Sequence, residues 1–250
     1  MTKSVKVHNK GTFCSPPQYN GEEGRAMRIH FVTEGTLNEF WDASRAPACD
    51  VLVFGFSGLG EVNYARELSG TTSKLEDAAI LSREAACTVV AGCYTDSCGI
   101  RRKSAAVADR GRILGVSDML GAIDSSDFKS GGALKVYETA AGKIGILIAE
   151  DLYFPEIAQM LSLCDADIIV SLFEEIGDFV PQLMLRADAF VSGVPIAMCA
   201  AGMAQVASVT GEIALLSPKK ECDYTVAPAR EYHVVSGRRR GFARRMPADF

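Results

Sequence analysis

Short apolar runs bounded by polar residues alternate along this chain with stretches in which apolar residues recur every three or four positions, the rhythm of strands interleaved with amphipathic helices. Residues 27–32 alternate as a strand does, and residues 36–46 gather Leu37, Phe40 and Trp41 at helical spacing. Residues 50–55, Asp-Val-Leu-Val-Phe-Gly, are apolar enough for a strand covered on both faces. Ser73 followed by Glu76 predicts a capping box, and Ala78, Ala79, Leu81 and Ala85 continue that helix. Residues 88–93, 104–108 and 134–139 read as strands, with a turn through Asp109-Arg110-Gly111.

Residues 142–171 organise the rest. Ile144-Gly145-Ile146-Leu147-Ile148-Ala149 is a nearly uninterrupted apolar run, read as a central strand. Pro155 stands where a helix's first turn tolerates a missing N–H, Ile157, Met160 and Leu161 follow at helical spacing, and residues 166–170 resume strand composition. In such a unit small-molecule chemistry sits just past the carboxyl end of the strand, here Ala149-Glu150-Asp151. Beyond it, residues 181–191 predict a helix carrying Leu183, Met184, Ala187 and Phe190, and residues 195–199 a buried strand. Strands at 207–212, 213–216 and 224–226 follow, with Ser217-Pro218-Lys219-Lys220 as a turn. This alternation predicts an α/β fold, two sheets packed together with helices on their outer faces.

The central stretch resembles the signature of the nitrilase superfamily, the carbon–nitrogen hydrolases. There a Gly-hydrophobic-Gly strand ends in a nucleophilic cysteine, followed by an acidic or aromatic residue, Asp and then Phe-Pro-Glu. Glu150, Asp151, Phe154, Pro155 and Glu156 fit, but the nucleophile slot holds Ala149. Residues 86–92, the 105–115 hairpin, Phe128-Lys129-Ser130-Gly131-Gly132, Arg186-Ala187 and Arg244-Arg245-Met246-Pro247 are similar to further family segments, in order. The resemblance runs from about Met27 onward and implies a nitrilase-like four-layer αββα sandwich, one domain over residues 25–250 behind an N-terminal arm at 1–24, which is polar and turn-rich.

The family's mechanism needs a thiolate nucleophile, a carboxylate to move its proton and a lysine to stabilise the oxyanion. The slots matching these hold Ala149, Phe56 and Asp118. A methyl group cannot attack a carbonyl, a phenyl ring cannot accept a proton, and a carboxylate at the third slot would repel an oxyanion. A shift of a loop could bring Glu61 or Lys103 to the site, but it would not restore the thiol. Asp151 reads as architecture and Glu150 as a pocket carboxylate. The favoured reading is a non-catalytic member whose remodelled pocket, around Phe56, Asp118, Ala149, Glu150 and Phe173, binds a small molecule or a protein partner. Two alternatives stay open. One is an amidase- or nitrilase-type hydrolase with a displaced nucleophile, for which Cys199 in Cys199-Ala200-Ala201-Gly202 is the candidate. The other is a structural subunit of a homo- or hetero-oligomer. The resemblance implies pairing through the helices after the nucleophile strand, so 155–163 and 181–191 are the expected dimer surface.

Composition narrows the partners. A formal charge of −5 over 250 residues argues against a dedicated nucleic-acid binder. The one basic cluster, Arg238-Arg239-Arg240 with Arg244 and Arg245, reads as pairing with this chain's own acidic surface or a second subunit. The eight cysteines are scattered, and the closest pair, Cys93 and Cys98, lacks a second pair or a nearby histidine to make a zinc site. His8, His30 and His233 lie far apart in sequence. No metal and no cofactor are expected. With no apolar run of membrane-spanning length and no signal-like N-terminus, a cytoplasmic address is expected.

Overall fold

The computed structural model describes residues 26–42, 47–121 and 127–227. The expected arm at 1–24, His8, His233 and the arginine cluster lie outside the described residues. The first sheet runs in the order β13-β1-β2-β4-β5-β6, with β3 pairing on β4. Its strands are β1 (Met27–Val32), β2 (Val51–Phe54), β3 (Gly60–Asn63), β4 (Thr88–Ser97), β5 (Ile100–Asp109), β6 (Arg112–Asp118) and β13 (Glu221–Val226). The second runs β12-β11-β10-β9-β8-β7. It is built from β7 (Val136–Thr139), β8 (Gly142–Ile148), β9 (Ile168–Leu172), β10 (Ile196–Ala200), β11 (Met203–Ala207) and β12 (Ile213–Ser217). β1, β2 and β4 are parallel neighbours, as are β8, β9 and β10.

Strand alternation sends side chains to two faces, and here both faces are apolar. Val53, Val90 and Val107 of the first sheet pack with Ile146, Val170 and Ala197 of the second in one core between the sheets. Leu52, Val89 and Ala106 point the other way, toward α1 (Leu37–Asp42) and α3 (Lys74–Glu84). Leu147, Ile169 and Met198 pack against α4 (Pro155–Leu163) and α5 (Val180–Ser192). The result is the expected helix-sheet-sheet-helix sandwich, and burial on both faces explains why β2, β8 and β9 read as unbroken apolar runs.

Several expectations shift. The Ser73 capping box does not form. Ser73 Oγ bonds Asp77 instead, and the Lys74 and Leu75 N–H groups are capped by the Glu67 carboxylate from α2 (Tyr64–Leu68) at 3.3 and 3.0 Å. A strand expected at 207–212 lies earlier, at Met203–Ala207, because the chain turns at Gly202 and again at Gly211, both in the left-handed region. β3 and α2 were too short to carry a period. Ala149, expected to end the central strand, instead opens a single 3-10 turn, Ala149–Tyr153.

Candidate functional site

The parallel strands of both sheets end on one side of the sandwich, and a cavity of about 590 Å³ opens there. Thr33 follows β1, Phe56 and Ser57 follow β2, Phe173, Glu174 and Glu175 follow β9, and Ala201 follows β10; Tyr94 of β4, Arg101 of β5, Glu61 of β3 and Phe128 complete the wall. Phe56 reaches its place because residue 92 on the neighbouring strand is glycine. A Cβ there would sit 2.8 Å from the Phe56 Cα and 2.9 Å from the Gly55 carbonyl. The Phe56 ring stacks on Tyr94 at 5.1 Å between centroids, and Tyr94 lies 5.4 Å from Phe128.

Behind these rings Lys103 is buried between two carboxylates. Its ammonium donates to Glu150 Oε1 at 2.7 Å and to Glu174 Oε2 at 2.6 Å, while the Tyr94 hydroxyl donates to the other Glu174 oxygen at 2.8 Å. Burial works against the lysine's charge, but the hydrogen bonds to Glu150 and Glu174 outweigh it and hold its pKa above the ordinary value. Burial, and then the bond to Glu174, push the Tyr94 phenol up. Two cations also sit over the Phe128 ring, the Arg101 guanidinium at 5.1 Å and the Lys103 ammonium at 5.5 Å. The other Glu150 oxygen, Oε2, is buried without a hydrogen-bond partner among the described residues.

Ala149 adopts φ +47 at the point where β8 turns into the 3-10 turn. A residue with a Cβ is strained in this left-handed conformation. Asp151 holds the elbow in place, its carboxylate accepting from the Leu120 N–H at 2.9 Å and the Gly121 N–H at 2.7 Å. Burial raises its pKa to about 6 against the opposing pull of those backbone bonds. The Ala149 methyl is 2% exposed, packed in the inter-sheet core with Phe56 and Met119, and it does not line the cavity.

The residues singled out from sequence therefore separate. Phe56 and Phe173 line the cavity; Ala149 and Glu150 lie beneath its wall. Asp118 departs from expectation altogether. The hairpin register pairs it with Ser104, whose neighbours Ala106 and Ala108 face the helices, so Asp118 lies on the outer face of the sheet and accepts from Ser104 Oγ at 2.7 Å. The inward residue at that end of β6 is Ser117, followed by the buried Met119. Cys199 is fully buried between the sheets, its thiol directed at the carbonyls of Val32 (3.6 Å) and Val53 (4.0 Å). Burial pushes that thiol up, away from the thiolate form a nucleophile needs. Glu61 and Lys103, noted as residues a loop shift could deliver, are at the site. Tyr94, Glu174 and Phe128 were not foreseen as site residues, and alternation along β4, which points Tyr94 inward with Val90, is the one local signal that marks any of them. Among the described residues no group of three His, Cys, Asp or Glu side chains is arranged to hold a metal ion, and no helix is long and apolar enough to cross a membrane.

Comparison with known proteins places this architecture. The chain resembles a cysteine-to-alanine mutant of an amidase from Nesterenkonia AN1, of the nitrilase superfamily, with a TM-score of 0.69 at 17% identity over 87% of this chain and 96% of that one. A carbon-nitrogen hydrolase from Helicobacter pylori G27 gives a TM-score of 0.69 at 16% identity, covering 91% of this chain and 97% of the other. A glutamate-to-glutamine mutant of the Nesterenkonia amidase, bearing acrylamide added to its active-site cysteine, superposes with a TM-score of 0.66 at 16% identity over 86% and 99% of the two chains. No curated protein matches the chain in sequence. The family model described as carbon-nitrogen hydrolase matches residues 33–229. The chain belongs to the carbon–nitrogen hydrolase family, within the nitrilase superfamily.

Proposed function

We propose that this chain is a non-hydrolytic member of its family that binds a small organic molecule in the cavity at the carboxyl ends of its parallel strands. One observation carries the reading: the elbow position that resembles the family's nucleophile slot is Ala149, a methyl group 2% exposed and separated from the cavity. A covalent route needs a thiol that a substrate can reach. The other candidate, Cys199, is buried beside backbone carbonyls, and neither of its hydrogen-bond partners can take its proton. Lys103, Glu150 and Glu174 supply a cation and two carboxylates, but the cation is held by both carboxylates beside an aromatic wall with no thiol in it.

Mass spectrometry of the intact folded protein tests this. After brief iodoacetamide treatment, the exposed Cys98 and Cys164 should label and Cys199 should not. Butyramide, seen bound to a mutant of the Nesterenkonia amidase, should leave no acyl adduct, and a nitrile should leave none either. An adduct that disappears in Cys199→Ala would overturn the proposal in favour of a hydrolase with a displaced nucleophile.

A second reading, assembly, draws on the outer face of α4 and α5. Met160, Leu163, Leu183 and Phe190 are about half exposed or more on these two helices, more apolar surface than isolated helices of a monomer need show. Pairing of two copies through this face would cover it. Light scattering should then give twice the 26.8 kDa chain mass, falling to one chain in Leu163→Asp/Leu183→Asp; a monomeric wild type removes the reading.

A further inference from the structure

The cavity's wall is aromatic and its charge is unbalanced. Phe56, Tyr94 and Phe128 form a continuous run of rings, with centroid spacings of 5.1 and 5.4 Å. Around them stand four carboxylates, Glu61, Glu150, Glu174 and Glu175, against two cations. Lys103 is consumed by Glu150 and Glu174, and Arg101 by Glu61 at 3.2 Å. Glu175 lies exposed on the cavity wall and takes part in none of these ion pairs. Arg101 and Lys103 already sit over the Phe128 ring within 5.5 Å, so the aromatic faces of this wall accept positive charge.

From this we infer that the cavity binds a small organic ammonium ion, its apolar body against the Phe56–Tyr94–Phe128 rings and its charge toward Glu175 and the neighbouring carboxylates. The inference rests on the reading of the cavity as a ligand site and adds the ligand's class. An anion would meet the excess negative charge in a concave wall, where water screens poorly. A neutral ligand would use the rings but gain nothing from Glu175. An ammonium ion with an apolar body satisfies both, through ring-face attraction and a charge-assisted hydrogen bond. A volume of about 590 Å³ is in the range of small-molecule sites and accepts a body of one ring or a short alkyl chain.

Isothermal titration of the full chain with three probes of matched shape tests the inference: phenethylammonium, phenethyl alcohol and phenylacetate. The ammonium should bind at least about tenfold more tightly than the alcohol, and phenylacetate more weakly than either. Glu175→Gln, at an exposed position, should weaken the ammonium several-fold and leave the alcohol unchanged. Phe128→Leu should weaken both. Equal or tighter binding of the alcohol or of phenylacetate overturns the ammonium assignment while leaving a ligand cavity. No binding of any probe up to about 10 mM overturns it too. Ammonia release from butyramide, followed in the same samples, reports separately on the non-hydrolytic reading, so failure of one is not mistaken for failure of the other.

Discussion

Lys103→Met tests whether the wall behind the cavity depends on one buried cation. The ammonium lies 2.7 Å from Glu150 and 2.6 Å from Glu174, with 6% of the side chain exposed. At an effective dielectric of about 20, each contact represents about 6 kcal/mol of gross attraction, much of it offset by removing three charges from water. Methionine keeps the stem's length and volume but leaves two carboxylates facing each other without a counter-charge. Breaking a buried ion pair from one side costs about 3–5 kcal/mol. Glu174 is 39% exposed, so water recovers part of its share, and a loss of about 3 kcal/mol is expected. Urea unfolding followed by far-ultraviolet circular dichroism at pH 7 measures it. Adding Glu150→Gln to Lys103→Met should recover more than half of the loss, because it removes the more buried of the two stranded charges. A loss below about 1 kcal/mol, or no recovery in the double variant, would refute the reasoning.

Three further predictions follow from groups that the fold holds in unfavourable settings. Asp188 of α5 is fully buried, neither carboxylate oxygen has a partner among the described residues, and burial, with Glu156 adding to it, raises its pKa to about 7. The folded state therefore holds this proton more tightly than the unfolded chain, and stability falls as pH rises from about 4 to 7, by about 4 kcal/mol in all. Asp188→Asn should flatten that slope, differing little from wild type at pH 5 and gaining about 2 kcal/mol at pH 8; parallel slopes in thermal unfolding would contradict this. Ala149→Gly should leave stability unchanged or raise it by about 0.5 kcal/mol, since glycine relieves the φ of +47, whereas Ala197→Gly in β10 should cost about 1 kcal/mol. Equal losses at the two positions would show that the elbow is not strained. Ala149→Cys should give a thiol that iodoacetamide labels far more slowly than Cys98 and that forms no adduct with butyramide; rapid labelling would mean that the position is open to the cavity after all.

The parts of the fold legible in sequence were those with one dominant cause. β8, the proline at the start of α4 and β9 could be read because burial on both faces leaves an unbroken apolar run and Pro155 fits only the first turn of a helix. The capping box failed because Ser73 Oγ turns to Asp77 and the Glu67 carboxylate of the preceding helix caps the Lys74 and Leu75 N–H groups instead, which no local pattern encodes. Asp118 was placed in the pocket by its match to the family's lysine slot, whereas its side is fixed by alternation and hairpin register. Ala105 and Val107 face inward on β5, so Lys103 does too, and Ser104 and its partner Asp118 face outward. Lys103 with Glu150 and Glu174 spans 71 residues of sequence, and only the packing of two sheets brings the three together. The lost partners of Asp188 have no sequence signal at all, because α5 reads as an ordinary amphipathic helix.

The antiparallel pairing of β13 on β1 sets Met27 opposite Val226. The described domain thus begins and ends at one corner, on adjacent strands, about 20 Å of strand away from the end of β1 that meets the cavity. A short linker between those two residues would close the domain into a ring that could be reopened in a surface loop, so the order of elements along the chain is separable from the architecture they build.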